Sequence, residues 1–171
     1  DYAITGALSQ ARTQLQSILA LDIAAAHRLR ALALAELGSL EARDGNPAAS
    51  EQHFGRAIAI QQASALEVDH ARTLKSRARA RLGRGDLAGA LADSTAALDK
   101  FDAVGVQSLQ AEARAAFRAN YRDAIELRIA ALLGQAAASR PERAPEADRL
   151  LRAALESSDR ARARWLAESA A

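Results

Sequence analysis

The chain has neither cysteine nor methionine among its 171 residues, and only three phenylalanines, two tyrosines and one tryptophan. The absence of cysteine excludes disulfide bonds, thiolate metal ligands and a cysteine nucleophile within these residues. Because the chain starts at Asp1, we interpret it as a fragment of a larger chain. No apolar run approaches the roughly 20 residues that span a bilayer, so we expect a cytoplasmic protein without a membrane partner.

Proline and glycine are also scarce, with three and nine residues respectively, and they cluster at a few sites that look like turns. Alanine, the strongest helix former, is the commonest residue, and most of the larger apolar residues are leucine. Half of the chain is hydrophobic although aromatic residues make up only 4%. This composition predicts an all-α fold.

Two stretches of the chain, 45–58 and 85–98, are similar to each other. The matched pairs are Gly45 and Gly85, Ser50 and Ala90, and Ala57 and Ala97, and a shortened copy carries Gly6, Ala11 and Ile18 before the first. The copies recur at a period of about 40 residues, which is typical of stacked helical hairpins. We therefore predict a right-handed stack of antiparallel helix hairpins, an α-solenoid.

The pattern of turns and apolar residues predicts seven helices, at about 7–20, 23–43, 47–64, 67–83, 87–102, 106–137 and 146–169. We expect Asp22, Asn46 and Asp86 to cap helices, with Pro47 at a first helical position. One array then divides into a partial repeat (1–21), two repeats (22–64 and 65–104) and a divergent long hairpin (105–171). That last hairpin contains a Pro-rich linker, Ser139–Glu146, and an aromatic and aliphatic stripe of Phe117, Tyr121, Ile125 and Leu132.

The repeated residues resemble a tetratricopeptide repeat (TPR). They are Leu37, Gly38, Gly45, Ser50, Phe54 and Ala57 in one copy, and Ala78, Gly85, Ala90 and Ala97 in the next. The unit here is longer than the usual one of about 34 residues, and Glu41 and Arg81 stand where a tyrosine is frequent. The resemblance implies a protein–protein interaction scaffold whose first helices line a concave groove.

A narrower resemblance lies near the end of the chain. The segments YRDAIELRIAALLGQ and LLRAALESSDRARARWLAE, with the carried-over residues Glu156, Ser158, Arg160, Ala161, Arg162, Ala163, Arg164 and Leu166, look like the last hairpin before a CHAT domain, a caspase-like module of bacterial proteins. This resemblance implies a regulatory or sensing region that contacts a protease domain placed after Ala171. The alternative is the sensor region of a signal-responsive transcription regulator.

Catalytic, metal and cofactor sites are not indicated. Gly83, Gly85 and Gly89 have a spacing that hints at a phosphate-binding loop, but no buried strand precedes them and no Lys-Ser/Thr pair follows. We interpret these glycines as turn residues. The three histidines, His27, His53 and His70, fall on different predicted helices without metal-ligand spacing. We therefore expect no enzymatic activity and no cofactor.

One stretch has an uneven charge: Ala71 to Arg84 holds six positive residues and no acidic one. On a helix, Arg72, Lys75 and Arg79 share one side. With Leu32 and Leu82 as apolar neighbours, they predict a peptide-binding groove for an acidic segment of a partner protein. The alternatives are a solvated arginine face and nucleic-acid binding. Nucleic acid ranks last, because few aromatic residues interleave with the arginines and the net charge is only +2.

Overall fold

The computed structural model describes residues 2–20, 27–104, 111–139 and 144–169. These residues form seven α-helices and no β-strand. The helices are α1 (Tyr2–Ala20), α2 (His27–Arg43), α3 (Pro47–Ala63), α4 (Glu67–Gly83), α5 (Leu87–Val104), α6 (Ala111–Ala138) and α7 (Ala144–Ser169). The predicted all-α class is confirmed, and the predicted helix ends that fall on described residues agree with the observed ones to within five residues. The predicted starts at about 23 and 106 lie outside the described residues. The predicted cap Asp22 and positions 140–143 of the Pro-rich linker lie outside the described residues.

The turns between α2 and α5 repeat at half the period that the sequence suggested. Each has three residues, and the middle one has a positive φ: Gly45 at 77°, Ala65 at 51° and Gly85 at 82°. In each turn the N–H of the following residue bonds to a carbonyl five residues back, which satisfies a carbonyl at the helix end. Ala65 lies midway along the chain between the two glycines. The repeating unit of the turns is therefore one helix with its turn, and a hairpin consists of two such units.

Of the two expected caps within the described residues, Asp86 forms its cap and Asn46 does not. Asp86 caps α5 as predicted, because its Oδ1 accepts the Gly89 N–H at 2.9 Å. Pro47 is the first residue of α3, also as predicted, but Asn46 makes no side-chain cap. Its Nδ2 donates instead to Glu41 Oε2 of α2 at 2.9 Å. The prediction that the Asn46 side chain caps α3 is therefore wrong, since a carboxylate one turn earlier competes for it.

Each helix packs on the next helix in the chain, and α4 also contacts both α2 and α6. This is the arrangement of a stack of hairpins, in which the first helices form one layer and the second helices pack behind them. The predicted stack is therefore confirmed for the described residues. The layer of first helices is the surface on which the candidate site lies.

Small residues lie where the helices cross most closely. Ala90 and Ala97 of α5 are both 0% exposed, as their places in the repeated stretch predict. Between α2 and α3 the close approach occurs at Gly38: a Cβ there would lie 2.9 Å from the ring of Phe54. The Ser50 hydroxyl donates to the Gly38 carbonyl at 2.8 Å and fixes the same crossing. Ridges of one helix can approach the next this closely only where side chains are small.

The stripe predicted along α6 forms the core of the C-terminal half. Phe117, Ile125 and Leu132 are buried, and Tyr121 is half-buried beside them. Phe117 meets Phe101 of α5 edge to face, with the ring centroids 5.2 Å apart. Aromatic pairs in this geometry contribute about 0.5–1.5 kcal/mol beyond the area that they bury. This contact ties the long last hairpin to the repeats before it.

Candidate functional site

Two arginines of the basic stretch on α4 form ion pairs with the neighbouring helices. Arg81 donates two hydrogen bonds of 2.8 Å, from Nε and Nη2, to the carboxylate of Glu51 on α3. In the same two-pronged way Arg77 donates to Asp93 on α5, at 2.8 and 2.7 Å. Asp93 is only 4% exposed. These pairs join α4 to the second helices of two hairpins, so Arg77 and Arg81 hold the stack together.

Glu51 is the centre of a larger cluster. Besides Arg81, the Arg84 guanidinium donates to its Oε1 at 2.8 Å, and Arg84 also pairs with Asp86 within the turn that joins α4 to α5. The hydrogen bonds from Arg81 lower the pKa of Glu51 to about 2; Arg84 adds to this and partial burial opposes it. Glu51 is therefore ionised throughout the neutral and mildly acidic range. We refer to Glu51, Arg81, Arg84 and Asp86 as the Glu51 cluster.

Lys75, which the sequence predicted for an open groove, lies in the interface between α4 and α6. Its Nζ donates to Asn120 Oδ1 at 2.7 Å and to Asp123 Oδ2 at 3.2 Å, and the residue is 9% exposed. The same carboxylate pairs with Arg79 at 3.3 Å, but the Arg79 side chain stays 61% exposed. The prediction that Lys75 faces an acidic partner segment is therefore wrong. The physical reason is that α6 packs on that side of α4 and supplies its own carboxylate.

That carboxylate remains charged. Burial raises the pKa of Asp123, but hydrogen bonds from Lys75 and Arg79 and the charges of both outweigh it, so the pKa lies below its ordinary value.

Of the other predicted groove residues, Arg72 and Leu32 occupy equivalent positions of consecutive repeats, and both are partly exposed. Arg72 also approaches Asp69 one turn earlier on α4, at 3.6 Å. Leu82 is half-buried near the end of α4.

A groove of about 660 Å³ lies between the C-terminal halves of α2 and α4 and is closed at one end by the start of α3. Small residues leave this space open. The groove is lined by Ser39, Ala42, Arg43 and Gly45 before α3, by Pro47 and Ser50 on α3, and by Ser76, Arg79, Ala80, Gly83 and Arg84 on and after α4. Its volume is typical of sites that bind a ligand or part of a peptide, about 300–1,000 Å³.

The two long walls of this groove are made from equivalent repeat positions. Ser39 on α2 and Arg79 on α4 are separated by the same interval as Gly45 and Gly85, and so are Arg43 and Gly83. Sequence reasoning found Arg79 but missed Arg43, because it searched only the stretch in which basic residues are concentrated. Projecting the Arg79 face back by one period would have identified Ser39 and Arg43.

The groove is positively charged. Three of its lining residues are arginine, and none of the described lining residues is acidic. Arg43 makes no hydrogen bond or ion pair with the described residues, Arg79 pairs with Asp123 but stays mostly exposed, and Arg84 is shared with the Glu51 cluster. The first turn of α3, which has no side-chain cap, contributes the positive end of a helix dipole. The arrangement favours an anionic group.

Comparisons with family models, with curated proteins and with solved structures returned no match. Within the described ranges, no set of three or more histidine, aspartate and glutamate side chains is placed to hold a metal ion. None of the helices, as far as they are described, combines the length and the apolar character needed to cross a membrane.

Proposed function

We propose that this chain is a protein–protein interaction scaffold and that its groove between α2 and α4 binds an acidic segment of a partner protein. The observation that carries the proposal is the lining of that groove: Arg43, Arg79 and Arg84 around an open space, with no acidic residue among the described lining residues. Guanidinium groups bind carboxylates through two parallel hydrogen bonds, a geometry that lysine cannot provide. The positions come from two consecutive repeats, so an extended segment can contact both.

The small residues between the arginines support a peptide as the ligand. Ser39, Ser76 and Ala80 leave room for a backbone to lie close to the helices, and Ser76 has a hydroxyl that can bond to it. Exposed ion pairs contribute only about 0–1 kcal/mol each, so the arginines alone give weak, salt-dependent binding. Affinity for a natural partner then requires apolar contacts as well. Leu29 and Leu32 are exposed on α2 and can provide them.

Following the resemblance to the region that precedes a CHAT domain, we further propose that the scaffold acts as the regulatory arm of a larger bacterial protein. On this view the groove receives the signal, and the stack transmits it to a neighbouring domain. The Glu51 cluster and the Lys75–Asp123 pair join α3, α4, α5 and α6, so a change at the groove would reach the helices behind it.

The test uses charge-matched double variants and a fluorescent peptide with a run of glutamates. Arg43→Glu combined with Arg79→Glu should weaken binding about tenfold or more, because two attractive contacts become repulsive. Arg152→Glu combined with Arg160→Glu changes the net charge equally on exposed positions of α7. This control should bind as the unaltered chain does. Lys75 is left intact, since its removal would leave the charge of Asp123 poorly compensated.

Two results would contradict the proposal. One is equal loss of binding in both double variants, which would mean that the peptide responds only to net charge. The other is binding of the unaltered chain that does not weaken as salt is raised, which guanidinium–carboxylate contacts at an exposed site cannot produce. A matching peptide with a run of lysines should not bind at any salt concentration.

A further inference from the structure

A second hollow lies far along the chain from the groove, between the N-terminal half of α6 and the C-terminal half of α7. Its volume is about 420 Å³, and most of its surface is apolar. The apolar wall consists of Phe117, Tyr121 and Ile125 with the small residues Ala115, Ala119 and Ala161. This volume is within the range of small-molecule sites, about 300–1,000 Å³. The hollow shares no lining residue with the groove proposed above for the peptide.

The aromatic wall of the hollow is held in place from behind. Phe117 packs edge to face on Phe101, and Tyr121 meets the same ring with the centroids 6.2 Å apart. The Arg164 guanidinium of α7 lies 4.0 Å from the centre of the Tyr121 ring and pairs with Asp102 of α5. Three helices therefore fix this wall. A ligand that enters a preformed hollow loses little free energy to rearrangement of the protein.

The rim of the hollow is positively charged. Arg118 and Arg122 lie one turn apart on α6, and none of the described lining residues is acidic. Arg164 is already engaged by Asp102, whereas Arg122 is exposed and makes no ion pair with the described residues. Burial and the nearby Asp102 raise the pKa of Tyr121, so its phenol is protonated and neutral at physiological pH. The site thus combines an apolar interior with cationic groups at its mouth.

We propose that this hollow binds a small amphipathic anion, with its apolar chain against Tyr121 and the exposed alanines Ala115 and Ala119 and its carboxylate at Arg122. A neutral ligand would gain only the apolar contacts, and a cationic one would be repelled at the rim. The site is separate from the α2–α4 groove, and binding there does not depend on the proposed peptide. It gives the last hairpin a ligand of its own.

Isothermal titration of the full chain with three probes of equal chain length tests this proposal. Decanoate should bind one to one, about tenfold more tightly than decanol, because charge-assisted hydrogen bonds to arginine add to the same apolar contact. Decylammonium should not bind. Arg122→Gln should reduce the affinity for decanoate toward that for decanol and leave decanol unchanged. The matched control, Arg152→Gln on the exposed side of α7, should change neither.

A second variant fills the hollow without changing charge. Ala119 is an exposed helical residue, so Ala119→Leu is compatible with α6 and should abolish binding of both decanoate and decanol. Equal affinity for the acid and the alcohol would overturn the proposal. So would decanoate binding that survives Ala119→Leu, since the ligand would then lie elsewhere. Sedimentation that shows a dimer abolished by Ala119→Leu would assign the hollow to a second copy of the chain, which also overturns it.

Discussion

Glu51 of α3 and Arg81 of α4 form a two-pronged ion pair between neighbouring hairpins, with both N–O distances at 2.8 Å. Through this pair the charge of Arg81 reaches a carboxylate on the preceding helix. Pairs of this kind give arginines of the basic stretch a structural role. Each paired arginine is balanced by a carboxylate, in keeping with a net charge of only +2.

Replacing Glu51 with glutamine should lower the free energy of unfolding at pH 7 by about 1–2 kcal/mol, because Arg81 and Arg84 lose a charged acceptor. The pKa of Glu51 is lowered from 4.5 to about 2, so the unfolded chain takes up this proton first. The stabilisation is therefore present above pH 4.5 and is lost as the pH falls toward 2. Urea unfolding between pH 7 and pH 3 should show a weaker acid dependence in the variant. Glu36→Gln, on an exposed position of α2, should behave as the unaltered chain does.

Each of the three repeated turns has one residue with a positive φ, and Ala65 is the only one of these three that is not glycine. The left-handed conformation costs an L-residue about 1–2 kcal/mol, part of which is recovered because alanine restricts the unfolded chain. Ala65→Gly should therefore raise the free energy of unfolding by about 0.5–1 kcal/mol. Gly45→Ala should lower it, and purely through the backbone, since no atom lies within 4 Å of the added Cβ. A loss of stability in Ala65→Gly would refute the assigned turn geometry.

Gly38 and Gly55 provide a matched pair of helix glycines. A Cβ at Gly38 would lie 2.9–3.0 Å from the ring atoms of Phe54, whereas one at Gly55 meets nothing. Gly38→Ala should therefore lower the free energy of unfolding by about 1–3 kcal/mol through overpacking. Gly55→Ala should raise it by up to about 1 kcal/mol through helix propensity. Equal effects of the two changes in thermal unfolding would show that α2 and α3 do not approach closely at Gly38.

His70 of α4 is 3% exposed, and its Nδ1 has no hydrogen-bond partner among the described residues. Burial, together with the charge of Lys100, lowers the pKa of His70 below its ordinary value of 6.5. As the pH falls through 6.5, the unfolded chain therefore binds this proton before the folded chain does, and stability decreases. His70→Gln should reduce the difference between urea midpoints measured at pH 7 and pH 5. His27→Gln, on an exposed position, should leave that difference unchanged.

The sequence predicted the fold well because its turn signals are local. Gly45 and Gly85 mark helix ends, and the alanine-rich stretches between them have few alternatives to helix. The middle turn was predicted by the helix ends at about 64 and 67. Alanine is a poor turn signal, however, so the similarity of the turn at Ala65 to those at Gly45 and Gly85 was missed, and with it the shorter period of one helix and its turn. The Asn46 cap failed because the competing acceptor, Glu41, becomes a neighbour only after the chain turns.

The candidate site was predicted less completely, because exposure depends on how helices pack. Helical spacing places Lys75 beside Arg79, but only the position of α6 decides that Lys75 is buried against Asp123. Arg43 lies outside the basic stretch and was overlooked. Its role depends on the alignment of α2 with α4, which the interval from Gly45 to Gly85 contains but which composition does not reveal.

Amide chemical shifts recorded while an acidic peptide is titrated into the full chain test the central claim most directly. If the groove binds the peptide, the largest changes should fall on its two walls, at Ser39 and Arg43 of α2 and at Ser76 and Arg79 of α4. Signals from α7 should not move, and raising the salt concentration should reverse the changes. Changes confined to α6 and α7, or spread evenly over all exposed arginines, would contradict the claim that this groove is the binding site.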